Sequence, residues 1–158
     1  MHNIFLDALV YDCMNSKKTN CYNIKACWHT ISRMYNSHGF DHDISISMGY
    51  VLLNLSKDKG VPSTQIAPQL GMEPRSLTRL LKSMEKKGLI QKVSDKNDKR
   101  QVNIFLTKLG HKKRNVSAKT VKVFNDILRS NIEEDELLIF NRVLEKITKI
   151  TEQNFKTL

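Results

Sequence analysis

Hydroxyl-bearing and cationic side chains are concentrated between Ser63 and Arg100, in a pattern that suits binding to phosphates and to the edges of bases. Arginine can donate two parallel hydrogen bonds to guanine or to a phosphate, and hydroxyl groups at a helix N-terminus can hold a phosphate together with backbone N–H groups. These residue types therefore predict contacts with duplex DNA. The residues that we assign to such contacts are Ser63, Thr64, Arg75, Ser76, Thr78, Arg79, Lys82, Lys96, Asp98, Lys99 and Arg100.

Two short helices joined by a tight turn would position the first seven of these residues. Ser63 can cap the first helix, Gly71 permits the turn, and Pro74 suits the first turn of the second helix, where its missing N–H costs little. The second helix is predicted to bury one apolar stripe and to end at Gly88. The side chains that it would present to a major groove about 12 Å wide are Ser76, Thr78 and Arg79.

A β-hairpin with a cationic loop follows the second helix. Its two strands are predicted at residues 89–93 and 101–106, and in the second strand Val102, Ile104 and Leu106 alternate with Gln101, Asn103 and Phe105. We expect Arg100 in the loop to enter a minor groove, with Asp98 orienting its guanidinium through a charge-assisted hydrogen bond. Lys96 and Lys99 are expected to contact phosphates. A helix suited to a major groove beside a loop suited to a minor groove is typical of proteins that read duplex DNA.

Helices with apolar stripes are predicted on both sides of this region. One stripe runs from Ile24 to Tyr35, and another, from Phe140 to Ile150, repeats at close to seven residues. A further helix can be capped by Ser47. Neither stripe has an obvious partner within the DNA-binding region. We therefore predict a mainly α (α+β) single domain, with a winged helix-turn-helix lobe at residues 44–110 and dimerisation helices at residues 1–43 and 111–158.

The formal net charge of the chain is +10, and the positive charge is concentrated in its middle. From Arg75 to Arg129 there are sixteen Lys and Arg residues and four Asp and Glu residues, whereas the rest of the chain has ten and twelve. A basic middle is typical of a surface that binds phosphates. No apolar run of about 18 residues is present, and the N-terminus lacks the cationic segment of a signal peptide. We expect a cytoplasmic protein without a membrane partner.

The cysteine and histidine residues do not form a recognisable catalytic arrangement. Cys27 and His29 are two residues apart, so on a helix they would point to different faces. The sequence contains no glycine-rich phosphate loop, paired-carboxylate motif or nucleophile elbow. A small cluster of His38, Asp41, His42 and Asp43 has suitable metal ligands, but a polar loop between helices explains it as well. We expect neither enzyme activity nor a metal or other cofactor.

These motifs, in this order, resemble the MarR family of bacterial winged-helix regulators. The motifs that match are Leu70-Gly71, Leu77-Thr78-Arg79, Met84–Ile90, Asn97–Arg100 and Leu106–Gly110. They extend over roughly Ile44 to Leu128, and the order of elements matches over the whole chain. One position departs from the family: Glu73-Pro74 stands where a serine is common, and a carboxylate there would repel a phosphate.

The resemblance implies an obligate homodimer, formed by interleaved N- and C-terminal helices, that binds a palindromic operator and usually represses. It also implies release when a small ligand or an oxidant acts. Candidates to line a ligand cleft are Trp28, Tyr35, Met48 and Tyr50, although core packing would explain these residues too. Cys21 lies where a branch that senses organic hydroperoxides has its reactive cysteine, with Tyr35 placed to help activate it.

Three functional hypotheses are compatible with the sequence. The first is a ligand-responsive repressor, the second a redox sensor of the same fold based on Cys21, and the third a winged-helix module that binds proteins instead of DNA. The excess of positive charge on the second helix and the hairpin loop favours DNA binding over the third reading.

Overall fold

The computed structural model describes residues 19–39, 44–95, 98 and 101–154. Its elements, in chain order, are α1 (Asn20–Met34), a π-helical turn (Tyr35–Gly39), α2 (Ile46–Asn54), β1 (Val61–Pro62), α3 (Ser63–Gln69), α4 (Pro74–Lys86), β2 (Ile90–Ser94), β3 (Val102–Leu106), α5 (Lys108–Asn131) and α6 (Glu134–Asn154). The predicted mainly α fold with a small sheet is confirmed.

The three strands form one antiparallel sheet in the order β1-β3-β2. β2 and β3 pair from Ile90 opposite Leu106 to Ser94 opposite Val102, which confirms the predicted hairpin. Both strands begin one residue later than the alternation predicts. β3 lies in the middle of the sheet, and the side chain of its Ile104 is fully buried. The hairpin is therefore anchored to the helices by its central strand.

An apolar core holds α2, α3 and α4 against this sheet. Its fully buried side chains include Val51, Leu52, Leu55, Ile66, Met84, Leu89, Ile90 and Ile104. Burial of one aliphatic side chain of this size contributes about 1.5–3 kcal/mol. Because these side chains come from every element of the group, they determine how α3 and α4 lie on the sheet.

Two helix starts differ from the prediction. Ser45, and not Ser47, caps α2, because Ser45 has the extended backbone of an N-cap and its side chain accepts a hydrogen bond from the Met48 N–H. Ser47 lies inside the first turn. Pro62, and not Ser63, precedes α3 and provides no side-chain cap. Since Pro62 is still paired in the sheet, the chain passes directly from strand to helix and Ser63 becomes a helical residue.

Thr107 connects the end of α4 to the start of α5. Its hydroxyl donates a hydrogen bond to the Gly88 carbonyl at 2.6 Å and accepts one from the Gly110 N–H at 3.0 Å. A Cβ built on Gly110 would lie 2.0 Å from the carbonyl oxygen of Leu89. Glycine is therefore needed at this position for α5 to begin so close to the sheet.

The chain divides into two compact units, one up to Ser117 and one from Ala118 onwards. The first unit contains the core just described, and the second contains the C-terminal part of α5 and the whole of α6. Neither α1, in the first unit, nor α6 has a buried residue. The large apolar side chains of α6 that are about half exposed or more are Leu138, Ile139, Phe140, Val143 and Ile150.

Candidate nucleic-acid interface

The turn between α3 and α4 is held by backbone hydrogen bonds and by one glycine. The N–H of Met72 donates to the Ala67 carbonyl at 3.0 Å, and the N–H of Gly71 donates to the Pro68 carbonyl at 3.2 Å. Gly71 has φ of 58°, a left-handed conformation that other residues adopt only at a cost. Ala67 is buried where the two helices cross. The predicted helix-turn-helix is confirmed by this geometry.

The buried side chains of α4 determine which of its faces meets the solvent. Leu77, Leu81 and Met84 lie on one face and are at most 4% exposed. Because successive helical residues are about 100° apart, the opposite face is defined by this burial. The residues on that opposite face are Arg75, Arg79, Lys82 and Lys86, and all four are exposed. We call them the cationic row.

Lys86 was missing from the predicted contacts, although its spacing was readable in the sequence. Arg75, Arg79, Lys82 and Lys86 follow the i, i+4, i+7, i+11 pattern of one helix face. The prediction considered only the N-terminal part of the helix, where side chains reach base edges. The structure therefore brings the three predicted cations together and adds a fourth.

The acidic residue of α4, Glu85, forms an ion pair with a lysine that lies outside the cationic row. Glu85 Oε2 lies 2.9 Å from Lys92 Nζ on β2. The two side chains are 43% and 30% exposed, so their ion pair contributes little to folding stability. It does give the Glu85 carboxylate a cation outside the row, so that Arg79 and Lys82 need not neutralise it.

Ser76 and Thr78 lie on either side of the cationic row, about 80° away around the helix. Both side chains are exposed. The Thr78 hydroxyl donates a hydrogen bond to the Pro74 carbonyl at 2.9 Å. Thr78 can therefore offer its methyl group to a base without leaving a donor unsatisfied.

The N-termini of α3 and α4 differ from the expected phosphate sites. Ser63 is half-buried and Thr64 is exposed, and both lie in the first turn of α3. At the start of α4, the Glu73 side chain makes no capping hydrogen bond and Pro74 occupies the first helical position. The backbone N–H groups of this turn are therefore not satisfied by the Glu73 carboxylate.

The wing, as we call residues 95–101 between β2 and β3, is described in part. Asp98 is exposed, its N–H donates to Asp95 Oδ1 at 3.2 Å, and its carbonyl accepts from the Gln101 N–H at 2.9 Å. The predicted contact residues Lys96, Lys99 and Arg100 lie outside the described residues. The expected pairing of Asp98 with Arg100 therefore stays a prediction.

Three of the four predicted cleft residues lie close together. The rings of Trp28 and Tyr50 are stacked, with centroids 6.3 Å apart and planes inclined by 27°. Burial, and to a lesser extent electrostatic repulsion from the neighbouring Tyr50 phenol, raise the pKa of Tyr35 to about 12. Burial also raises the pKa of Tyr50. Both phenols are therefore neutral hydrogen-bonding groups at physiological pH.

Met48 does not join these aromatic residues. It precedes Tyr50 by two residues on α2, which places it about 200° away around the helix. Its side chain is only 6% exposed, which is typical of a core residue.

Cys21 is exposed in the first turn of α1. It precedes Tyr35 by fourteen residues of helix, a distance of roughly 20 Å along the axis. Tyr35 of the same chain therefore cannot contact the thiol. Within the described ranges, no group of three or more His, Cys, Asp or Glu side chains could hold a metal ion. The side chains of the predicted cluster at positions 38 and 41–43 lie outside these ranges.

None of the helices in the described part of the chain is both long and apolar enough to cross a membrane.

Comparison with known proteins shows which family and which regulators this chain is similar to. Residues 44–102 match the family model described as "MarR family". The regulator TtmR of Methylorubrum extorquens (strain PA1) is 34% identical over 90 residues, which are 57% of this chain and 46% of TtmR. The chain thus spans about half the length of that relative. The regulator SarZ of Staphylococcus haemolyticus (strain JCSC1435) is 26% identical over 75% of this chain and 81% of SarZ.

A solved structure agrees with these sequence matches. The crystal structure of the S. aureus MepR–DNA complex superimposes with a TM-score of 0.77 at 25% identity, covering 83% of this chain and 96% of MepR. TtmR and SarZ are both described as HTH-type transcriptional regulators. Residues 44–102 therefore form a winged helix-turn-helix that matches the MarR family model, and the relatives that this chain resembles are transcriptional regulators.

Proposed function

We propose that this protein is a transcriptional repressor. It would bind a palindromic operator as a homodimer and release the operator when a small molecule binds to the protein. The observation that carries the proposal is the cationic row on the exposed face of α4. A helix whose opposite face is locked by Leu77, Leu81 and Met84 has one orientation in which it can meet DNA. In that orientation, its N-terminal half would enter the major groove.

The wing is proposed to contact the adjacent minor groove. Its lysines, Lys96 and Lys99, would neutralise phosphates, and Arg100 would enter the groove, where the negative potential is stronger. MepR has been crystallised as a DNA complex, which supports DNA as the partner of this fold. Since the proposed target is DNA, the protein would act in the cytoplasm of a bacterium.

The exposed apolar faces of α1 and α6 support a second copy of the chain as the partner. Tyr22, Ile24 and Trp28 on α1 are 43–46% exposed. On α6, the exposed fractions are 45–60% for Leu138, Ile139, Phe140, Val143 and Ile150. Helices of this length are marginal in water without packing of an apolar face. We propose that residues 1–43 and 111–158 supply the dimer contacts and that residues 44–110 form the DNA-binding lobe.

A small-molecule effector is supported by the aromatic group of Trp28, Tyr35 and Tyr50. Ser32 lies on the same face of α1, between Trp28 and Tyr35 in the sequence, and its buried hydroxyl oxygen has no hydrogen-bond partner among the described residues. Stacked rings beside an unsatisfied hydroxyl and two neutral phenols suit a planar ligand with a polar substituent. Such a ligand would act only if it binds the DNA-bound and free forms with different affinity.

The effector site can be tested by fluorescence because Trp28 is the single tryptophan of the chain. Titration with benzoate, phenol and indole should quench or shift its emission if a planar ligand binds there. Tyr50→Ala, which removes the stacked ring, should weaken the response. A response that is unchanged in Tyr50→Ala would place the ligand elsewhere.

A redox function of Cys21 is the second candidate, and the exposure of this thiol favours it. If Cys21 senses oxidants, treatment with cumene hydroperoxide should release operator DNA from the wild type but not from Cys21→Ser. We expect release to be independent of Cys21, since Tyr35 lies roughly 20 Å away along the helix axis and cannot activate the thiol. Release that is confined to the wild type would establish the redox sensor.

Salt dependence distinguishes DNA binding from a protein-interaction role. Genomic fragments protected by the purified protein would first identify the operator. The logarithm of the affinity for this duplex should then fall linearly with the logarithm of the salt concentration, with a slope of about −0.9 per neutralised phosphate. The variant in which Arg75, Arg79 and Lys82 are all replaced by alanine should have a shallower slope. Absence of duplex binding at low salt would contradict the proposal.

A further inference from the structure

One carboxylate at the base of the wing accepts hydrogen bonds from two different parts of the chain. Asp95 follows β2 directly, and its Oδ2 accepts a hydrogen bond from Asn103 Nδ2 at 3.1 Å. Its Oδ1 accepts from the backbone N–H of Asp98 at 3.2 Å. The N–H of Asp95 donates to the Gln101 carbonyl at 2.9 Å. The Asp95 side chain thus joins a strand residue to the backbone of the loop.

Asn103 is a rigid attachment point for this carboxylate. It lies in β3, the central strand, paired with Pro62 on one side and with Val93 on the other. A Cβ built on Gly60 would lie 3.0 Å from the Asn103 Cβ, so the bare backbone of Gly60 lies close beside this residue. Because the backbone on both sides is fixed, the Asn103 amide can hold Asp95 in one rotamer.

We propose that Asp95 is a positioning residue for DNA binding, which holds the wing in the register that the minor groove requires. It would do so by linking Asn103 to the Asp98 backbone, and it would not touch DNA itself. The cations at positions 96, 99 and 100 are interleaved with the hydrogen-bonded positions Asp95, Asp98 and Gln101. This inference rests on the proposed function of the protein as a DNA-binding regulator.

If Asp95 acted only through its charge, its replacement by asparagine would change DNA affinity in the direction opposite to that expected for a positioning residue, so the inference can be tested. A carboxylate close to DNA repels phosphates, so its neutralisation in Asp95→Asn should strengthen binding if charge is its only contribution. If Asp95 positions the wing, Asp95→Asn should weaken binding. In Asp95→Asn an NH₂ group replaces one carboxylate oxygen, so the Asn103 amide must rotate to keep the pair, and the hydrogen bonds to a charged acceptor become weaker neutral ones.

An exchange of the two side chains provides the decisive experiment. Asp95→Asn and Asn103→Asp should each weaken operator binding by roughly fivefold or more, since the first replaces charge-assisted hydrogen bonds by neutral ones and the second places two carboxylates side by side. The double variant Asp95→Asn/Asn103→Asp can restore both bonds, with Asn donating to the new carboxylate and accepting from Asp98. It also has the net charge of the wild type. Its affinity should return to within about twofold of the wild-type value.

A second background separates positioning of the wing from a general loss of folding. In a variant with Lys96, Lys99 and Arg100 all replaced by alanine, Asp95→Asn should have no further effect on affinity, because the wing no longer holds cations to position. Asp126→Asn is the matched control, since it changes the net charge equally at an exposed pair with Lys122. Thermal unfolding monitored by circular dichroism should show that every variant is folded at the temperature of the binding measurement.

The outcomes distinguish this inference from the proposed function. If the wild type binds no duplex DNA, the proposed function is wrong. If the wild type binds the operator but Asp95→Asn binds it equally or more tightly, only the positioning role is wrong. The same conclusion follows if the exchanged double variant stays as weak as the single variants. A loss in both single variants, with recovery in the exchange, would establish the role of Asp95.

Discussion

At the scale of single residues, hydrogen bonds within the protein limit which groups of DNA a side chain can contact. The Thr78 hydroxyl is bonded to the Pro74 carbonyl, whereas its methyl group is free to contact a base. Thymine carries a methyl group in the major groove, and apolar contact with it is a known source of sequence preference. Thr78 is therefore suited to apolar recognition, in contrast to the charged side chains of the cationic row.

Replacement of Thr78 by valine and by serine tests this reading. Thr78→Val should bind the operator within about twofold of the wild type, whereas Thr78→Ser should lose about 0.8 kcal/mol, roughly fourfold in affinity, for the missing methyl group. Deoxyuridine in place of the contacted thymine should abolish the difference between wild type and Thr78→Ser. If serine preserves affinity and valine loses it, the hydroxyl makes the contact.

Arg79 and Lys86 belong to the same row but should act differently. Arg79 lies in the N-terminal half of α4, so Arg79→Ala should cost about 1–3 kcal/mol on the operator and relax preference at one base pair per half-site. Lys86→Ala, at the C-terminal end, should weaken operator and random DNA equally and lower the salt slope by roughly one. We expect Lys99→Ala to weaken operator and random DNA equally as well, and Arg100→Ala to lose more affinity than Lys99→Ala.

Titrations of both DNAs at several salt concentrations measure these effects. Equal losses on both DNAs for Arg79→Ala would show that Arg79 holds only phosphate.

At the scale of elements, local patterns predicted the secondary structure, and tertiary contacts decided its details. The second strand of the hairpin was predictable because Val102, Ile104 and Leu106 alternate with Gln101, Asn103 and Phe105. The choice between Ser45 and Ser47 as helix cap was not, since both serines are suitable and only the packed backbone selects one. The Trp28–Tyr50 stack joins positions 22 residues apart, and no local pattern contains such a contact.

The start of α5 should tolerate no side chain at Gly110. In Gly110→Ala the new Cβ would clash with the Leu89 backbone, so the helix must move and the protein should lose about 1–3 kcal/mol of stability. Gly71→Ala is the comparison, because open space surrounds Gly71 and only its left-handed backbone is strained, at about 1–2 kcal/mol. Urea unfolding measures both losses. Because Gly110 adjoins the base of the β2–β3 hairpin and Gly71 lies in the turn of the helix-turn-helix, operator affinity should be followed in the same samples. A Gly110→Ala protein as stable as the wild type would contradict the close approach.

At the scale of the whole molecule, the predicted dimer depends on apolar surface that the chain itself leaves exposed. Sedimentation at micromolar concentration should show a dimer without DNA. Phe140→Glu together with Ile150→Glu, which places two charges in the α6 stripe, should yield monomers. These monomers should lose operator affinity more than affinity for random DNA, because two linked half-sites contribute only in a dimer. Lys146→Glu, at an exposed α6 position between them, serves as the charge control. A stable, folded wild-type monomer would contradict both the dimer and the palindromic operator.

The exposed stripe of α6 also has a consequence for the lifetime of the protein in a cell. If the chain pairs as proposed, a newly made copy would display Leu138, Ile139 and Phe140 to chaperones and proteases until it meets a second copy. Because a partner that binds only the folded form stabilises it more at higher concentration, chains made slowly should be degraded before they pair. Abundance of the regulator should then rise more steeply than its rate of synthesis, so that the apolar face of one helix would set a threshold for the regulatory response.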